Sequence, residues 1–145
     1  MKDHVKEAQD LFESGFNCTQ SVLLSFCEEF GLSKETASKM ACPFGGGIGG
    51  HGKICGAITG AMMVIGLKYG SANSTDLDSK KISSEKAHFL LENFEEKHGS
   101  CDCNDLIGCR LYRLNPEELK VKRHHIHSTC PKFLETVIVF IEEEL

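Results

Sequence analysis

Ile54-Cys55-Gly56-Ala57-Ile58-Thr59-Gly60-Ala61-Met62-Met63-Val64-Ile65-Gly66-Leu67 decides the fold. It is the longest apolar run in the chain, and nothing in it alternates with period two, so it reads as a helix. A membrane span needs about 20 apolar residues, so this shorter run suits a helix buried at the centre of a domain. Just before it stands Phe44-Gly-Gly-Gly-Ile-Gly-Gly-His-Gly-Lys53, a loop rich in backbone N–H groups and poor in side chains.

Helical spacing continues outward on both sides. Val5, Ala8, Leu11 and Phe12 stripe a first helix that ends near Gly15, and Val22, Leu23, Phe26, Cys27 and Phe30 stripe a second from about Cys18, closed by Gly31. Ser33 caps a short third helix over 34–41, which Pro43 ends. Beyond the apolar run, residues 71–79 form a polar connector, and an amphipathic helix follows from Lys80 to Lys97. A short helical turn is expected over 103–107, and Asn115-Pro116-Glu117-Glu118 is a helix start with cap, proline and acidic first turn. The last helix is expected from Cys130 to Glu144, with Phe133, Val137, Phe140 and Ile141 inward. The expected fold is all-α: one domain over residues 1–145, a compact helical bundle around the helix that follows Cys55.

The chain's 145 residues are enough for one domain with a real core. A net charge of -5 argues against nucleic acid as a partner, and Lys120, Lys122 and Arg123 read as a solvated helix face. The opening Met1-Lys-Asp-His-Val-Lys-Glu7 is charged and unlike a secretory signal, so a cytoplasmic protein away from membranes is expected. In that compartment lasting disulfides are rare, and eight cysteines point to metal binding or redox chemistry.

Four of the eight fall at expected helix starts. Asn17 precedes Cys18, the glycine loop precedes Cys55, Asp102 precedes Cys103, and Thr129 precedes Cys130. A helix start offers free N–H groups and the positive end of the macrodipole, which favour the thiolate. Cys27 lies on an apolar stripe and reads as core. Cys42 could face the glycine loop, Cys101 makes a Cys-x-Cys with Cys103, and Cys109 follows Gly108 in a loop.

Gly47-Ile-Gly49-Gly-His-Gly52 fits GxGxxG, but a short helix and Pro43 precede it where a dinucleotide site needs a strand. The loop is better read as a wall whose donors face an anion such as a thiolate pair or metal–sulfur cluster. Gly46, Gly47, Gly49, His51 and Gly56 are the candidate wall residues. His124, His125 and His127 lack zinc-type pairing and read as surface histidines. No nucleophile–base pair for hydrolysis stands out.

The segment Cys55-Gly-Ala-Ile-Thr-Gly60 resembles the bacterial family of redox-active proteins named for a cysteine, a CGAxxG motif and two further cysteines. The likeness also takes in Gly15-Phe-Asn-Cys18-Thr-Gln-Ser-Val22, Phe44-Gly-Gly-Gly, Gly66-Leu-Lys-Tyr-Gly70, Gly99-Ser100 before Cys103, Leu106-Ile-Gly108 and Cys130-Pro-Lys-Phe. It implies that Cys18, Cys55, Cys103 and Cys130 are the family's four cysteines, the same four that capping selects. No CxxCH is present, so covalent haem is not implied.

Three readings follow. The first is an iron–sulfur cluster held by these four thiolates for electron transfer or redox sensing. The second is a metal-free thiol–disulfide oxidoreductase or sensor, and the third a structural zinc site on an interaction module. The expected partner is a redox protein. A homodimer through the Gly56-x-x-x-Gly60 face is possible on the sequence.

Overall fold

The computed structural model describes residues 2–144; Met1 and Leu145, the ends of the expected domain, lie outside the described residues. Eight α-helices form an all-α fold: α1 (His4–Glu13), α2 (Cys18–Phe26), α3 (Lys34–Ala41), α4 (Gly56–Tyr69), α5 (Leu77–His98), α6 (Cys103–Ile107), α7 (Pro116–Thr129) and α8 (Pro131–Glu144). None is long and apolar enough to cross a membrane among the described residues.

Local chemistry sets most helix ends. Asn17 and Gln20 form a reciprocal capping box at the start of α2, as Asn115 and Glu118 do for α7. Ser33 caps α3. A 3₁₀ turn over Cys27–Phe30 extends α2 as far as the expected end, and Gly31 closes it at φ 78°. α5 begins three residues before the expected Lys80, because Asp76 accepts from both the Ser79 amide and hydroxyl. The connector's own acidic residue is the cap.

The centre is a pair of helices rather than one. α4 buries Gly56, Ala57, Ile58, Gly60, Ala61, Val64 and Ile65, while α2 buries every residue from Thr19 to Phe26. The two approach closely because Gly56 and Gly60 have no side chain. A Cβ at Gly60 would stand 2.8 Å from the Thr19 carbonyl oxygen and 2.9 Å from Val22 Cβ. At Gly56 it would stand 2.9 Å from Thr19 Oγ1. The Gly-x-x-x-Gly face is therefore filled from within the chain, by α2.

Polar residues on α2 tolerate this burial because each has a partner. Thr19 and Thr59 share a hydroxyl hydrogen bond of 3.1 Å, and the Gln20 amide donates to the Ser38 carbonyl at 2.9 Å. Ser21 and Ser25 donate back to carbonyls of their own helix. Around this pair pack Leu90 and Phe94 of α5 and Leu134, Val137, Ile138 and Ile141 of α8. α7 buries no residue fully, and lies against the outside.

Candidate functional site

The two chain segments that flank Cys55 and Cys103 are tied together before either helix begins. Ile54 and Asp102 form an isolated antiparallel bridge. Around it the Cys55 amide donates to the Cys101 carbonyl at 2.8 Å, Cys103 to Lys53 at 2.6 Å, and Asn104 to Gly52 at 3.0 Å. This short ladder sets the starts of α4 and α6 side by side. Gly47, at φ 72°, packs behind it: a Cβ there would fall 2.7 Å from Cys103 Cβ and 2.6 Å from the Lys53 amide. Only glycine fits both the space and the backbone angle.

Cys18 opens α2, Cys55 caps α4 and Cys103 opens α6, as the capping signals predict. Cys130 differs. α7 runs on to Thr129, so Cys130 ends one helix before Pro131 starts the next, and its amide donates to the Ile126 carbonyl. It sits in a helix–helix corner, not at a free helix start. The cause is the absence of any breaker from His124 to Thr129, so α7 stops only where Pro131 cannot supply an N–H.

All four cysteines line one cavity of about 130 Å³, whose other walls include Phe12, Leu106, Ile107, Leu111, Ile126 and Phe133. Of the wall residues expected from the glycine loop, Gly46 and Gly56 line it, with Asn17 the one polar side chain. Its size is close to that of the roughly 150 Å³ apolar cavity that stays dry and accepts a benzene-sized guest. Cys55, Cys103 and Cys130 are buried and Cys18 is half-buried. All eight cysteines are free thiols. Among the described residues no three His, Cys, Asp or Glu side chains are grouped closely enough to hold a single metal ion. The four sulfurs surround a space and do not close on a point.

Burial is the dominant influence at Cys55 and Cys103. It pushes the Cys55 and Cys103 thiols up to about 12, even though the Ala57 and Ile58 amides at the start of α4 favour the Cys55 thiolate. Cys18 is raised, first by the hydrogen bond it shares with Cys130 and then by burial. Cys130 alone is lowered, chiefly by its interaction with Cys18, with Lys132 and Lys122 adding positive charge.

The far half of the glycine loop turns its donors inward on the loop and away from the cavity. The amides of Ile48, Gly49, Gly50, His51, Gly52 and Lys53 donate to carbonyls of Phe44, Pro43, Gly45, Ile48, Gly46 and Gly47 in turn. From Ile48 to Lys53 the loop is knitted to itself, and Gly46 and Gly47 allow close approach to Leu111 and Cys103. Gly49 is exposed, and His51 is exposed and stacked on Tyr112 with ring centroids 4.0 Å apart. Neither lines the cavity.

The other four cysteines lie off the cavity lining, although Cys109 is near enough to Cys103 to raise it. Cys27 is buried in the core with its thiol on the Leu24 carbonyl, as its stripe implied. Cys101 points to the Leu91 carbonyl of α5. Cys42 is exposed at the end of α3, and Cys109 is half-buried in the loop after α6. Of the three histidines before Cys130, His124 and His125 are exposed, and His127 pairs with Glu13 at 3.1 Å.

Residues 16–144 match the family described as "Putative redox-active protein (C_GCAxxG_C_C)". The chain belongs to this family. The match covers the glycine loop and all eight cysteines of this C_GCAxxG_C_C protein. No curated protein matches the chain, and no solved structure does.

Proposed function

We propose that the four-cysteine cavity is a redox centre that holds an iron–sulfur cluster through Cys18, Cys55, Cys103 and Cys130, for electron transfer or redox sensing. The observation that carries this reading is the convergence of four thiols from four separate segments on one apolar cavity. Four thiolates are the usual ligand set of such clusters, and the group supplies reversible electron transfer when bound. The donor set fits: thiols dominate the polar atoms of the lining, and apolar walls keep water from the sulfurs. Metal binding must displace the protons of these buried thiols, so cluster loading releases protons and depends on pH. A lone tetrahedral zinc, with Zn–S near 2.3 Å, would need the sulfurs within roughly 3.8 Å of one another. The spread of the four favours the larger group.

Anaerobic reconstitution with ferrous iron and sulfide tests this. Coloured protein with stoichiometric iron and acid-labile sulfide is expected; colourless, iron-free protein overturns it. Zinc at one equivalent without sulfide decides for a structural site.

A second reading has one specific observation behind it. Cys18 and Cys130 interact directly across the cavity, and that interaction raises Cys18 and lowers Cys130. That arrangement suits a dithiol in which Cys130 attacks a disulfide and Cys18 resolves the mixed disulfide. Mass spectrometry of alkylated protein across a redox titration separates the readings. A reversible Cys18–Cys130 disulfide in metal-free protein supports the second.

A further inference from the structure

The glycine loop and the loop after α6 form one outer surface over the cavity. Gly50 accepts the Tyr112 amide at 3.1 Å, and Tyr112 stacks on His51. A Cβ at Gly52 would stand 3.0 Å from Arg110 Cγ, one at Gly46 3.1 Å from Leu111 Cδ1, and one at Gly108 3.7 Å from Lys122 Nζ. Gly46 and Leu111 are at once part of this surface and part of the cavity lining. It is the thin wall between solvent and the four sulfurs.

The charge of this wall runs against that of the chain. The protein carries -5 overall, yet no Asp or Glu occurs between Glu35 and Asp76, or between Asp105 and Glu117. Lys53, Arg110, Arg113 and Lys122 stand on the wall. Ion pairs of the described residues draw their lysines from Lys2, Lys6, Lys34, Lys39 and Lys86, all elsewhere. The four wall cations have no carboxylate partner among the described residues. Arg113 instead donates to the Tyr112 hydroxyl at 2.8 Å, which holds the ring in place. Asp105, at one border, is engaged by the Ser100 hydroxyl.

Two exposed apolar groups sit among these cations. Tyr112 is 47% exposed and Ile48 43%. Ile48 is also the one non-glycine residue with positive φ among the described residues, at 67°. A β-branched residue pays for that conformation, and strain of this kind gathers at functional surfaces. The backbone here holds an apolar side chain out into water.

We propose that this face docks an acidic electron-carrier protein over the four-cysteine cavity. Aromatic and aliphatic groups at the centre with a charged rim are the composition of a transient protein interface. Unpaired cations on a net-acidic chain steer an acidic partner to this one face and repel it from the rest. A nucleic acid is disfavoured because Asp102, Asp105 and Glu117 bound the patch and leave no extended basic track. The proposal rests on the redox reading for its purpose, but docking is measured without any electron transfer.

The test is a titration of isotope-labelled protein, followed by amide NMR, with two purified acidic carriers, a flavodoxin and a ferredoxin. Shifts should gather at residues 46–53 and 108–113 for at least one carrier, and affinity should fall about tenfold between low and physiological salt. Lys53→Glu combined with Arg113→Glu should weaken binding by about tenfold more, whereas Lys80→Glu with Lys81→Glu, the same charge change on α5, should not. Circular dichroism confirms that each variant is folded. Absence of binding to both carriers, or shifts elsewhere on the surface, overturns the proposal. So does binding of a single-stranded RNA to this face in preference to the carriers. If reconstitution fails and docking is still seen, the cluster reading falls while this proposal stands, so the two are told apart.

Discussion

Two neighbouring regions start from the same pair of helix ends and treat space in opposite ways. Gly56, the first residue of α4, and Gly60, one turn on, let α2 and α4 close until a single methyl group would collide with Thr19 or Val22. At the ends themselves, Cys18 and Cys55 help to enclose a cavity of about 130 Å³. A chain that packs to contact in one place and leaves a void beside it is not short of packing capacity. The void is held open by the Ile54–Asp102 bridge and by Gly47, and what faces it is thiol. Tight packing supports the site; empty space is the site.

That contrast is open to attack by substitution. Cys55→Ser or Cys103→Ser should abolish iron and sulfide incorporation entirely, while urea midpoints of the metal-free protein move little. Retained stoichiometric cluster in both variants would break the link between cavity and chemistry. Gly60→Val should cost about 3 kcal/mol of stability, because backbone as well as side chain must retreat. A denaturation curve within about 0.5 kcal/mol of the parent would show that α2 and α4 are not in contact as described. Ile126→Phe, which fills the void, should stabilise metal-free protein by about 1 kcal/mol and prevent reconstitution. If it instead destabilises and still accepts a cluster, the void is not where the cluster goes.

pH tests the same contrast by another route. Cys55 and Cys103 ionise near 12 when folded, against 9.0 for a free thiol. Between those values the unfolded chain loses protons that the folded one keeps, so metal-free protein should lose stability as pH rises from about 9 to about 12. Flat stability across that window would mean the cavity is wet. Smallest of all, Cys27→Ala should cost about 1 kcal/mol and leave reconstitution unchanged, since this thiol is core and faces away from the cavity.

The sequence revealed the parts of the site that depend on local chemistry. Asn17, Asp102 and the glycine loop mark where Cys18, Cys103 and Cys55 stand, because caps and turns are decided within a few residues. Cys130 was harder to place, since α7 continues through a histidine-rich segment that gives no stop signal before Pro131. The burial of α2 was hidden for another reason. Thr19, Gln20, Ser21 and Ser25 look like a wet face, and only the folded neighbours Thr59 and Ser38 show how two of them are satisfied. The glycine loop was legible only in part: glycine spacing shows that the backbone turns tightly, but not that the amides from Ile48 to Lys53 bond the loop's own carbonyls. The thiol pKa order was also out of reach, because burial of Cys55 and Cys103 depends on Leu106, Ile126 and Phe133, far apart along the chain.

X-ray absorption at the iron edge of anaerobically reconstituted protein tests the central claim most directly. The account predicts iron surrounded by sulfur, with iron neighbours at cluster distance, in the parent protein and in Cys27→Ala but not in Cys55→Ser. Iron bound by oxygen or nitrogen, or no iron retained by the parent protein, would contradict it.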